Sequence, residues 1–244
     1  MEVHHHAHSS GKKWTDYFWE FLMLFLAVFC GFLAEYQLEH VIEHNREKQF
    51  IQSYIEDLKS DTAAIRPILA FRKRKIEKMD SLMLLLSTQQ IKGHESDLYY
   101  FGRILIRTNG FQSNDRTITQ LKNSGSLRLI RNEQAADSMM SYQKLVESII
   151  SGQEDDHTER FSTYPIISRI FNPFVFDKMV TTTGINRPDK NPPLLSYDRN
   201  LQLDLAFYVH QLRGSALILM PRYEKLNTKA INIMAFLKKE YHLE

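Results

Sequence analysis

Side chains able to do chemistry gather at a few places in this chain. His4, His5, His6 and His8 crowd the amino terminus, and neutral imidazoles are good ligands for zinc, copper or nickel. In a short terminal segment such a run reads as an unstructured tail, easily taken for an expression tag. His40 and His44 stand four apart with Glu43 beside them, so a helix points both imidazoles the same way, toward one metal. The order Glu-His-x-x-Glu-His is not that of the zinc proteases, where glutamate directly follows the first histidine. No third ligand is near, and a solvated polar helix face is expected. Arg72, Lys73, Arg74 and Lys75 form a basic run, and Glu154, Asp155, Asp156, His157 and Glu159 an acidic one. The four basic residues fan around a helix and read as a wet segment; the acidic group lacks the glycine and spacing of a calcium loop. Contact between the two runs is possible but not required by the pattern. Ser124-Gly125-Ser126 is the nearest approach to a nucleophile turn, with His94, His157 and His210 far off in sequence, and reads more simply as the end of a helix. No catalytic, cofactor-binding or metal site is expected, and no cofactor is implied.

The element that dominates the chain is apolar. Phe21 to Ala34 reads FLMLFLAVFCGFLA, between Lys12-Lys13 and the acidic series Glu35, Glu39 and Glu43. Taken alone it is short for a membrane span, but Trp14, Tyr17 and Trp19 precede it and Tyr36 follows it. From Trp14 to Tyr36 a helix rises about 33 Å, close to a bilayer's hydrocarbon thickness. The flanking aromatics are therefore expected at the two membrane interfaces. Signal cleavage after Ala34 is disfavoured by Phe32 three residues back, and lipidation of Cys30 by Phe29 before it. Inside the span Ala27, Gly31 and Ala34 recur at spacings of four and three, a small-residue face that admits a second helix.

Lys12 and Lys13 lie just before the span, whereas residues 35 to 45 contain no Lys or Arg. That bias predicts a cytoplasmic amino terminus with residues 36 to 244 on the outer side. A net charge of +2 provides no field for a nucleic-acid partner. The sole cysteine, Cys30, lies in the span, so the outer part must hold together by packing alone. The chain as a whole is 43% apolar, enough for that part of about 200 residues to bury a core.

Periodicity predicts helix nearly throughout. Ile51, Tyr54, Ile55, Leu58, Ile65, Ile68, Met79, Leu82 and Leu86 recur mostly three and four apart, in one long helix or two joined at Pro67, where a kink or restart is expected. From Glu43 to Gln49 the apolar stripe is interrupted, which marks a stalk. Further helices are expected at 96 to 108, 114 to 123, 133 to 171, 199 to 219 and 222 to 241, with Asn132 capping one and Gly125 ending another. Residues 181 to 196, holding Pro188, Pro192 and Pro193, read as a long loop. The basic run at Arg72 would stand about 57 Å beyond Ala34 on a continuous helix, too far to meet lipid.

The Lys12-to-Val28 block, the stalk from His40 to Gln49, the segment Asp57-Leu58-Lys59-Ser60-Asp61-Thr62 and the later Leu121-Lys122-Asn123-Ser124-Gly125-Ser126-Leu127-Arg128-Leu129-Ile130, together with the opening MEVHHH, resemble a group of bacterial envelope proteins of unknown function. The resemblance is close over the first 65 or so residues. It implies an N-terminal anchor in the bacterial inner membrane and a helical, periplasmic outer domain, with no catalytic residues to carry over.

The expected class is all-α. A cytoplasmic His-rich tail (1–13) is followed by a transmembrane helix (14–36), a stalk (37–50) and an extracytoplasmic helical bundle (51–244). Lipid is the expected partner of residues 14–36, and a protein partner or a second copy that of the remainder. Three functions fit: an interaction or scaffold module without catalysis, which the anchor and stalk favour; a ligand-sensing bundle; and an enzyme whose site is dispersed.

Overall fold

The structure is a computed structural model that describes residues 13–243. The histidines at positions 4, 5, 6 and 8, and Lys12, lie outside the described residues. The fold is all-α. Helix α1 (Trp14–Thr88) is followed by α2 (Glu95–Leu105), α3 (Arg116–Asn123), a 3-10 turn (Ser126–Leu129), α4 (Glu133–Ser162), α5 (Tyr164–Ile170), α6 (Pro173–Met179) and α7 (Arg199–Glu240). One antiparallel hairpin, β1 (Val180–Thr181) with β2 (Gly184–Ile185), pairs Val180 with Ile185. The chain divides into two compact units, Met1–Phe50 and Ile51–Glu244.

In the first unit, α1 is long and apolar enough to cross a membrane, and the described residues bury none of its most apolar stretch of 18 residues. Trp14, Tyr17, Trp19 and Tyr36 are all exposed, and Phe21, Phe25 and Phe29 stack in succession along one face. Between Glu43 and Gln49, Glu47 is the buried residue.

In the second unit, α1 from Ile51 onward packs with α4 and α7. Arg72 meets Tyr223, Asp80 pairs with Arg213, and the Leu86 carbonyl accepts from Arg199. Partner numbers on α7 fall as those on α1 rise, so the two run antiparallel. The Tyr142 hydroxyl donates to Asp61 and Asp156 lies near Lys75, so α4 runs parallel to α1. Asn132 with Glu240, Gln153 with Tyr223 and Glu159 with Ser215 set α4 antiparallel to α7.

Each of the three helices carries its buried residues on a seam with spacings of three and four, strictly alternating on α7, the pattern that keeps one face toward its partners in a bundle. On α7 the seam runs Leu205, Val209, Leu212, Ala216, Leu219, Tyr223, Leu226, Ala230, Ile233 and Leu237. This helix is unbroken at Pro221, and α1 is unbroken at Pro67, against the expected stop after residue 219. Proline releases the carbonyl four residues back. Here those belong to Ala63 and Leu217, both exposed along with the prolines, so water replaces the lost bond while the seam on either side keeps the helix docked.

The expected helix from 133 to 171 is instead two, α4 and α5, separated at Thr163, whose buried hydroxyl donates to the Arg160 carbonyl at 2.6 Å. Asn132 caps α4 by accepting from the Ala135 N–H at 2.9 Å. Gly125, at φ +66, supplies the left-handed residue beyond α3. Short helix α6 and the hairpin occupy 173 to 185, where a loop was expected from 181. The remaining loop is strapped to α2: the Tyr99 hydroxyl donates to the Pro193 carbonyl at 2.9 Å, Asn191 accepts from Ser96 N–H, and Tyr197 donates to Glu95. Tyr99, Phe171 and Phe176 pack with ring centroids 5.3 to 5.7 Å apart at the heart of this end.

Candidate functional site

The seams of α1 and α4 each break their apolar run with charge. On α1 the order is Ile65, Ile68, Arg72, Lys75, Met79, Leu82; on α4 it is Val146, Ile149, Gly152, Asp156, Arg160, all buried. Because the two helices run parallel, the charged positions meet in one layer of the bundle. Three cations, Arg72, Lys75 and Arg160, therefore share the interior with one buried carboxylate, Asp156, at 4%, 6%, 6% and 3% exposure. Uncompensated charge is costly to bury.

The pairing within the layer is incomplete. Lys75 Nζ donates to the Arg107 carbonyl at 2.8 Å, just past the end of α2, where a carbonyl has no helical partner. Asp156 accepts from the Thr108 hydroxyl at a long 3.5 Å, and the Arg72 guanidinium lies 5.0 Å from the Tyr223 ring centroid. Among the described residues no group accepts from Arg72 Nε and Nη2 or from Arg160 Nε, all buried. Burial pushes the Lys75 ammonium down to about 8; Asp156 opposes that shift while Arg160 and Arg72 add to it.

Beside this layer a cleft of about 630 Å³ opens between α4 and the 108–112 segment, with Thr108, Gly110, Asp156, His157 and Arg160 on its wall. The segment is held in place by Gln153, whose amide pairs with both the N–H and the carbonyl of Phe111 at 2.6 and 3.0 Å. Tyr223 also donates to Gln153, at 3.0 Å. On another face of α4 a smaller cleft of about 410 Å³ is lined by Asp155, Glu159, Ser215 and Arg222.

The expected wet helix at 72 to 75 is corrected by this geometry. Lys73 and Arg74 are exposed, but Arg72 and Lys75 face inward because they are three apart and in register with Ile68 and Met79. The basic and acidic runs do meet, through these inward members. A sequence signal existed: both pairs interrupt an otherwise apolar seam at seam positions.

A second polar layer accounts for the Asp57-to-Thr62 segment. Asp57 accepts from the Thr117 N–H at 2.9 Å in the first turn of α3 and pairs with Arg116 at 3.0 Å. Asp61, one turn on, accepts from Ser113 Oγ, Tyr142 Oη and the Asn114 N–H, at 2.8, 2.8 and 2.7 Å. These two carboxylates fasten the entry into α3, a capping role carried out from a distant helix. Burial pushes the Asp61 carboxyl upward against the lowering effect of its three donors.

Other singled-out residues are placed as follows. Ala27, Gly31 and Ala34 are exposed on α1, and a Cβ at Gly31 would meet nothing within 4 Å. His44 lies 3.8 Å from Glu47, and Tyr36 and His40 rings meet edge to face. Among the described residues no three His, Cys, Asp or Glu side chains converge to hold a metal. Ser124 Oγ lies 2.7 Å from both the Gln120 carbonyl and the Ser126 hydroxyl, which ties it into the turn after α3. No protein-family model matches the chain, and neither the curated proteins nor the solved structures include a match to it.

Proposed function

We propose that this chain is a single-pass, membrane-tethered helical module of the bacterial cell envelope, an accessory or scaffold subunit that acts by holding a protein partner or a second copy of itself. The observation that carries this reading is the most apolar 18-residue stretch of α1, which the described residues leave uncovered. A contiguous apolar surface of that size needs lipid or another protein around it. The second unit buries its own core of three helices, so it has no need of the first for packing and is suited to being carried at the end of an anchor.

Orientation follows from the basic residues: Lys12 and Lys13 precede the span and no Lys or Arg occurs from 35 to 45, which supports a cytoplasmic amino terminus, an inner-membrane anchor and a periplasmic bundle. The test is fractionation of the full chain in cells. The protein is expected to stay with membranes through a carbonate wash, to be released only by detergent, and to be digested by protease added to spheroplasts. Crosslinking in native membranes is expected to give a discrete larger species. Recovery in the soluble fraction would refute the anchor; protection from external protease would reverse the orientation.

A further inference from the structure

We propose that the cleft between α4 and the 108–112 segment is a binding site for a small anionic ligand, whose phosphate or carboxylate head is received by Arg160 and held by the positive layer beneath it. This goes beyond the anchoring role and does not depend on it.

The layer is built with more cation than anion. Among the described residues Asp156 is the one fully buried carboxylate that faces Arg72, Lys75 and Arg160; Glu159, half-buried, accepts from Ser215 on another face of α4, and the Glu154 carboxylate on the cleft wall is exposed and therefore screened by water. Buried guanidinium groups ordinarily have acceptors for their N–H groups. Here Arg160 Nε and two Arg72 nitrogens have none among the described residues, and Arg160 stands on the cleft wall. An oxyanion in the cleft would bring the missing negative charge beside the layer and an acceptor to the Arg160 guanidinium, as guanidinium groups do best with carboxylate and phosphate oxygens. Thr108, also on the wall, adds a hydroxyl whose present bond to Asp156 is long, at 3.5 Å. The volume, about 630 Å³, is that of ordinary small-molecule sites. Arg72 and Lys75 are not on the wall and act through their charge, not by contact.

The role of Asp156 separates this site from general salt binding. It is the anion that a ligand must tolerate, so neutralising it strengthens a true oxyanion site while removing Arg160 weakens it. The experiment is titration calorimetry on the detergent-solubilised full chain at fixed ionic strength, with inorganic phosphate in one arm and succinate in another. One equivalent of at least one of them is expected to bind saturably, the stronger arm telling phosphate from carboxylate. Arg160→Gln is expected to weaken binding by about tenfold or more, the scale of a lost charge-assisted bond. Asp156→Asn is expected to tighten it, and Lys73→Gln, exposed in the same basic run, to leave it unchanged. Should Arg160→Gln fail to fold, Asp156→Asn and Lys73→Gln still decide the matter. Absence of saturable binding in both arms, or weaker binding by Asp156→Asn, overturns the proposal.

Discussion

The Tyr142 hydroxyl donates to Asp61 Oδ2 at 2.8 Å, joining α4 to α1 inside the bundle. The other oxygen accepts from the Asn114 N–H at 2.7 Å, and Ser113 donates to Oδ2 as well. Asp61→Ala would orphan these buried donors and is expected to cost about 2–4 kcal/mol, read as a lowered midpoint in chemical unfolding followed by circular dichroism. Asp61→Asn keeps an acceptor for Asn114 and is expected to cost much less. Equal losses in the two would show that the three bonds contribute little.

The same carboxyl makes a pH prediction. Burial outweighs the three donors and holds Asp61 above its ordinary value, so the folded state keeps the proton more tightly than the unfolded one. The penalty for ionised Asp61 is full above its folded value and fades as pH falls toward the ordinary value. Wild type is therefore expected to gain stability relative to Asp61→Asn as pH is lowered through that interval. Parallel stability curves would refute the assignment.

Lys75 behaves in the opposite sense. Its ammonium is pushed down to about 8 from 10.5 by burial, with Asp156 opposing and Arg160 and Arg72 reinforcing. Across that interval the unfolded chain binds more protons than the folded one, so stability rises with pH, and the charge penalty is fully present below it. The full chain is expected to gain on Lys75→Met between pH 8 and 10.5, by a few kcal/mol at most. Unchanged differences in melting midpoint across that range would place the lysine in water.

Much of the fold is legible because its signals are local. Asn132 announces α4 by capping chemistry, Gly125 ends the turn after α3 at positive φ, and the seams of α1 and α7 repeat at helical spacing. Pro221 misleads because its cost depends on what surrounds it: exposure of both the proline and Leu217 lets water take the released carbonyl. Hairpin β1–β2 is too short for alternation to appear. The charged layer is hidden for another reason. Each run of charge, read alone, is indistinguishable from a wet surface, and only the parallel setting of α1 and α4 brings Lys75 beside Asp156.

Two glycines separate packing from propensity. A Cβ at Gly102 would lie 2.8 Å from Phe171 Cζ, and Phe171 is held by Tyr99 and Phe176, so it has no room to withdraw. Gly102→Ala is expected to destabilise by about 1–3 kcal/mol despite alanine's better helix propensity. At Gly214, within α7, a Cβ meets nothing within 4 Å, and Gly214→Ala is expected to stabilise by up to about 1 kcal/mol. The same thermal melts measure both, and a stabilising Gly102→Ala would mean that the ring yields.

The membrane face formed by Ala27, Gly31 and Ala34 is testable without confusion from folding. A Cβ at Gly31 meets nothing within 4 Å in the single chain and the position is exposed, so Gly31→Leu is expected to leave the anchor itself intact. Small residues at such spacing permit close helix approach in lipid, where packing drives association. Cys30, the adjacent and exposed free thiol, offers the readout: oxidative crosslinking in native membranes. If two copies pair through this face, Gly31→Leu is expected to reduce the disulfide-linked dimer several-fold while the amount of membrane-bound protein stays the same. A dimer yield that does not change would mean that the small residues are incidental to a solitary anchor, and that any partner is engaged through the bundle alone.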